Sequence, residues 1–170
     1  MPSKQARKGK PLHIYWDACV FISYIEGKDL SVLDAILATV HNGSVRLYTS
    51  TLSIAEVAYA EDEKQKQRPN PVVEAAIDSF WAGNDDITLV NPHELIMRDA
   101  RKLMRDGLAQ GYSLKPPDAI HLATARRLNI GIVHTYDARL QRYGGLANLS
   151  IRAPDTMQPM LAVIADEDEA

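Results

Sequence analysis

Four acidic side chains, Asp17, Glu56, Asp118 and Asp137, stand where a hard divalent cation could be held. Asp17 directly follows the apolar run Leu12-His13-Ile14-Tyr15-Trp16, and Asp137 follows a second run ending at His134 and Thr135. Glu56 lies in the first turns of a helical pattern after Thr49-Ser50, and Asp118 opens another after Pro116-Pro117. Each acid alone has a plain structural explanation as a turn, cap or exposed helix residue. Together they pose a physical problem, because converging carboxylates repel and titrate as a coupled set. Mg²⁺ (or Mn²⁺) removes the conflict: such ions prefer oxygen ligands, keep several waters and share them with substrate phosphates. A site of this kind activates water and stabilises in-line displacement at phosphorus. The hydroxyls of Ser50 and Thr135 are placed to orient a carboxylate or a water.

The elements that position these acids are legible as an alternation. Leu12–Trp16, Val45–Thr49, Ile87–Val90 and Ile130–His134 read as strands, with a weaker fifth near Leu149–Arg152 stopped by Pro154. Helical spacing links Leu30, Leu33, Ile36, Leu37 and Val40, and again Leu52, Ala55, Ala58 and Tyr59. The charged run from Glu61 to Arg68 reads as the exposed end of that second helix and its loop. Asn91-Pro92-His93-Glu94 reads as a helix start with Asn91 as cap and proline at the first position. A last clear helix opens at Pro116-Pro117-Asp118 and runs through Leu128. Strands alternating with helices predict an α/β domain with a mainly parallel sheet. Ligands bind such sheets beyond the carboxyl ends of the strands, where all four acids fall.

The chain has 170 residues, of which 46% are hydrophobic, enough for one compact domain with a core of Leu, Ile, Val and Ala. Net charge is −3, which does not favour tight sequence-independent nucleic-acid binding but leaves room for a local basic groove. The domain is expected over 11–156, between a basic leader at 1–10 and an acidic tail at 157–170, both read as solvated. The single cysteine, Cys19, allows no disulfide within the chain and reads as a small packed residue rather than a nucleophile. No apolar run approaches the ~18 residues of a membrane span, so the expected place is the cytoplasm.

At the acids themselves the chain resembles the PIN-domain family, and within it the VapC-type toxin ribonucleases. The matching pieces are Tyr15-Trp16-Asp17-Ala18-Cys19-Val20, Thr49-Ser50-Thr51-Leu52-Ser53-Ile54-Ala55-Glu56-Val57, Pro117-Asp118-Ala119-Ile120-His121-Leu122-Ala123-Thr124-Ala125 and His134-Thr135-Tyr136-Asp137-Ala138-Arg139-Leu140. The resemblance implies a PIN-like three-layer fold, a five-stranded mainly parallel sheet flanked by helices. It implies an endoribonuclease dependent on Mg²⁺ or Mn²⁺, with Asp17, Asp118 and Asp137 at the metal and Glu56 completing the acidic pocket. Thr135 matches a hydroxyl residue that helps position the last acid. A further acid often follows that position in the family; Arg139 and Leu140 stand there instead, which leaves the number of metals open. The expected partners are an RNA substrate, a small antitoxin protein and a second copy in a homodimer. The alternatives are a catalytically silent RNA- or protein-binding PIN-like module, and a PIN nuclease of RNA processing with no antitoxin.

Other residues weigh toward structure. His121 shares a helix face with Asp118 and reads as a supporting histidine, since hard cations favour oxygen. Tyr15, Trp16 and His134 read as packing, and Lys115, Arg126, Arg127 and Arg139 flank the pocket as phosphate contacts or solvated charges. A haloacid-dehalogenase-like phosphatase would need an acid where Cys19 stands. A receiver domain would need one after the third strand, where Asn91-Pro92 stands. No glycine-rich phosphate loop follows the first strand.

Overall fold

The structure is a computed structural model that describes residues 10–156. The leader expected at 1–10, Lys10 apart, and the tail expected at 157–170 lie outside the described residues. Five strands, β1 (Leu12–Trp16), β2 (Val45–Ser50), β3 (Ile87–Val90), β4 (Ile132–His134) and β5 (Ser150–Arg152), form one parallel sheet in the order β3-β2-β1-β4-β5. From β1 the chain winds outward through β2 and β3, then crosses back to β4 on the other side. Its topological switch point therefore lies at the carboxyl ends of β1 and β4. The ladder runs one step past the strands there, with the Asp17 amide donating to the His134 carbonyl at 3.1 Å. This bond places Asp17 and Thr135 side by side.

Helices cover both faces, as a parallel sheet requires. On one side, α1 (Ala18–Ile25), α2 (Leu30–His41) and α5 (Pro71–Gly83) pack Val20, Phe21, Leu33, Ile36, Ile77 and Phe80 onto Ile14, Trp16 and Leu47. On the other, α6 (Glu94–Ala109) and α7 (Pro116–Arg127) bury Ile96, Ala100, Leu103, Ala119, Leu122 and Ala123. Side chains alternate along a strand. Trp16 thus enters the first layer, while Tyr15 enters the second with Ala125, Ile130 and Val133. The fully buried Ala125 of α7 packs with Tyr15 and Val133 of the sheet, while Ala119 and Ala123 pack with Ile96, Ala100 and Leu103 of α6. Arg127 at the end of α7 meets Asp99 of α6 at 3.5 Å, so the two helices run antiparallel.

Three local expectations are corrected. The helix after β2 is short: α3 (Leu52–Glu56) ends at Glu56, and Glu61–Lys66 is a separate helix, α4, rather than its exposed end. Buried Glu63 explains this, since its carboxylate accepts from the amides of Ala60 (2.9 Å) and Asn70 (2.6 Å) and so ties both ends of α4. The cap of α6 is His93, whose Nδ1 accepts from the Leu95 amide, not Asn91. The helices α1 and α5 add to those expected. For α5 the signal was present, with Asn70 capping the Val72 amide at 3.0 Å and Pro71 at the first position.

His134 makes the fold acid-sensitive. It is buried, and its Nδ1 accepts from the Trp16 indole at 3.2 Å, so that nitrogen carries no proton. Burial, helped by the charge of Arg152 and opposed by Asp155, pushes the imidazole down to about 4. An unfolded histidine takes up its proton near 6.5, while the folded one stays neutral. The stability from neutral His134 is complete above pH 6.5 and is lost as pH falls towards 4, a change of ~3 kcal/mol. Denaturant melts at pH 7 and 4.5 should show this loss. His134→Asn keeps an acceptor but cannot titrate, and it should lose less; equal losses in both proteins would refute the assignment.

Candidate metal centre

Asp17 is the most firmly fixed of the acids. It caps α1, with Oδ1 accepting from the Ala18 amide at 2.8 Å. Its Oδ2 accepts from the Thr135 hydroxyl at 2.8 Å and the Cys19 thiol at 3.3 Å. Burial and then the charge of Asp17 push the Cys19 thiol up to about 12. Cys19 is therefore a thiol that donates to Asp17 and accepts from the Tyr136 amide at 3.2 Å, not a nucleophile. The Thr135 hydroxyl also accepts from the Asp137 amide at 3.0 Å, so one hydroxyl links two of the predicted acids. Ser50 behaves differently from the expectation: its hydroxyl accepts from the Leu52 amide at 3.1 Å and sets the start of α3.

Glu56, at the end of α3, is brought to Asp17 by α7. His121, fully buried on that helix, lies with Nε2 at 2.6 Å from Glu56 Oε2 and 3.7 Å from Asp17 Oδ1. Ligand-type atoms of Asp17, Glu56 and His121 all fall within 4.8 Å of one another, a grouping with metal-site dimensions. Burial lowers the affinity of His121 for a proton, but the hydrogen bond to Glu56 and the charges of Asp17, Glu56 and Asp118 together raise it. On the far side of the ring, Nδ1 lies 2.7 Å from the Tyr15 hydroxyl, which accepts from the Ser50 amide at 2.9 Å.

Asp118 and Asp137 lie outside that 4.8 Å group, but both belong to the same electrostatic site. Asp118, half-buried in the first turn of α7, has its carboxyl raised by burial and then by the charges of Asp17 and Asp137, with Arg139 and His121 opposing. Asp137 caps the short helix α8 (Ala138–Gln141). Its Oδ2 meets Arg139 Nη2 at 3.0 Å, and this hydrogen bond holds the Asp137 carboxyl below its usual range. Arg139 thus supplies a local counter-charge where a further acid would have deepened the negative field. Of the other flanking cations, Arg127 is tied to Asp99.

A PIN-domain family model matches residues 14–146, which takes in most of β1, the whole of β2, β3 and β4, and all four acids. The chain belongs to the PIN-domain family. PIN domains are generally nucleases. The PIN fold also appears in solved structures similar to this one. One is VapBC2 from Rickettsia felis bound to a DNA fragment from their promoter: TM-score 0.62, 13% identity, 85% of this chain and 100% of that one covered. Another is FitAB bound to the IR36 DNA fragment: TM-score 0.56, 19% identity, 83% and 94% covered. No curated protein matches the chain in sequence. Among the described residues of this PIN domain, no helix is long and apolar enough to cross a membrane.

The donor set fits a hard divalent cation. Asp17 and Glu56 offer carboxylate oxygens at ligand spacing, and the repulsion registered at Asp118 is what a cation would relieve. Sequence reasoning named the acids of this PIN domain and read His121 as a supporting histidine, but it took Tyr15 for packing alone. The signal available was the placement of His121 three residues after Asp118, on the same helix face.

Proposed function

We propose that this PIN domain is a divalent-metal-dependent endoribonuclease, the toxin of a toxin–antitoxin pair, working in the cytoplasm. The observation that carries the reading is the pairing of Asp17 with Glu56 at ligand spacing beside an Asp118 whose carboxyl is raised by burial and then by its neighbours' charges. Asp17, Glu56 and Asp118 would hold Mg²⁺ or Mn²⁺, with Asp137 joining directly or through water. Such a cation, when bound, lowers the pKa of a water nucleophile and neutralises charge at the phosphorus. The chain's own part is orientation. Thr135 holds the Asp17 oxygen and the Asp137 backbone together, and Cys19 donates a second bond to the same Asp17 oxygen. Arg139 is positioned beside the acids to meet a phosphate as well as Asp137.

The likeness of fold to the VapBC2 and FitAB assemblies supports a small antitoxin as partner, with the negative pocket as a natural seat for a cationic side chain. A homodimer is part of the same reading. Incubation with single-stranded RNA and with DNA of the same sequence tests the activity. RNA should be cut in the presence of Mg²⁺ or Mn²⁺, and EDTA should stop it. Cleavage that survives thorough chelation, or that spares RNA and cuts only DNA, would sink this reading.

A further inference from the structure

We propose that Tyr15 and His121 form a buried positioning relay that fixes Glu56 by one carboxylate oxygen and leaves the other to the cation. The inference rests on the metal-dependent reading above and assigns two residues that take no part in it. The relay runs across three segments. The Ser50 amide donates to the Tyr15 hydroxyl oxygen at 2.9 Å, which leaves the phenol proton to go to His121 Nδ1 at 2.7 Å. An imidazole that accepts at Nδ1 carries its proton on Nε2. That proton faces Glu56 Oε2 at 2.6 Å. Protonating the ring would add a hydrogen at Nδ1 and leave the one at Nε2 in place.

The alternative role for His121 is direct ligation through Nε2. It would require the Nε2 lone pair to be free and the proton moved to Nδ1. The Tyr15 oxygen would then accept from both Ser50 and His121, and its own proton would have to turn to the neighbouring Thr49 hydroxyl, which already bonds the Trp16 carbonyl and the Ser53 hydroxyl. The tautomer with its proton on Nε2 leaves those Thr49 bonds undisturbed. His121 and Tyr15 are both fully buried, with their rings in an edge contact at 5.7 Å, so the relay is held by packing on both sides.

Glu56 needs such a tether more than Asp17 and Asp137 do. Asp17 and Asp137 are locked by backbone amides at helix caps. Glu56 ends a helix of only five residues, its side chain is 27% exposed, and its one hydrogen bond among the described residues is to His121. Without that bond the longer side chain would keep its rotamer freedom and lose it only on binding the cation. Residues that orient a metal ligand commonly set affinity by about 10- to 100-fold.

Mn²⁺ binding to the full chain, followed by the electron paramagnetic resonance signal of the free ion, tests the relay without relying on activity. His121→Leu should weaken binding by about 10- to 100-fold, close to the effect of Glu56→Gln. His121→Gln, whose amide reaches where Nε2 lies, should recover most of it, and Tyr15→Phe should fall between. The wild-type Mn²⁺ spectrum should lack the nitrogen coupling of a directly bound imidazole. Unchanged affinity in both His121→Leu and Tyr15→Phe, with wild-type binding intact, would overturn the relay alone. So would direct nitrogen coupling, which would make His121 a ligand. Failure of the wild type to bind Mn²⁺ would overturn the relay and the proposed function together. Should His121→Leu not fold, Tyr15→Phe and His121→Gln decide, since one removes a single hydroxyl and the other keeps the donor.

Discussion

On the proposed function, Asp17→Asn should lower metal-dependent RNA cleavage by roughly 10³-fold, the scale on which an enzyme loses a group that stabilises charge in the transition state. The fold should survive. Asparagine has the same shape and caps helices as well as aspartate does, so the bond from the Ala18 amide remains. The Thr135 hydroxyl, which donates to Oδ2 in the wild type, can rotate to accept from the new amide. What disappears is a negative charge at the switch point of the sheet. Initial rates at saturating Mn²⁺, beside thermal melts of both proteins, make the measurement. A variant within tenfold of wild type would remove Asp17 from the centre of the chemistry. An unfolded variant would show that the cap depends on the carboxylate.

The second large effect is on stability. Mn²⁺ at about 100 times its Kd stabilises a folded protein by about 2.7 kcal/mol. For a chain of this size that raises the Tm by roughly 5–10 °C. Asp118→Asn should lose most of this rise and should melt above the wild type when metal is absent. The sign follows from the Asp118 carboxyl, which burial and the charges of Asp17 and Asp137 raise above its ordinary value. The folded state then holds the Asp118 proton more readily than the unfolded one. Ionised Asp118 accordingly opposes folding at neutral pH, and the opposition fades as pH falls through its folded pKa. Asparagine carries no such charge, so the metal-free advantage of the variant should shrink on acidification. Equal Mn²⁺ shifts in the two proteins would exclude Asp118 from the site.

Both predictions depend on residues that the sequence singled out, and the reason is local. Asp17, Asp118 and Asp137 each sit at a strand end or a helix start, where short-range signals are strong: an apolar run that stops, a Pro-Pro pair, a hydroxyl followed by an acid. The central strand β1 was legible for the same reason, since a strand covered on both faces reads as an apolar run between polar turns. The PIN motifs extended this to the whole fold. Where the reading failed, local signals competed with distant ones. Glu61–Arg68 looked like a solvated helix end because nothing nearby shows that Glu63 will be buried against the amides of Ala60 and Asn70.

The sequence by itself determined the parallel α/β architecture and the four acids at the carboxyl end of the sheet, because periodicity and turn chemistry act within a few residues, and its motifs carried the resemblance to the family. Tertiary structure alone decided how those acids are held. Tyr15 and His121 are separated by 106 positions and His121 and Glu56 by 65. They meet because α7 packs between α6 and the sheet, against β2 and β4, and no local pattern records that packing.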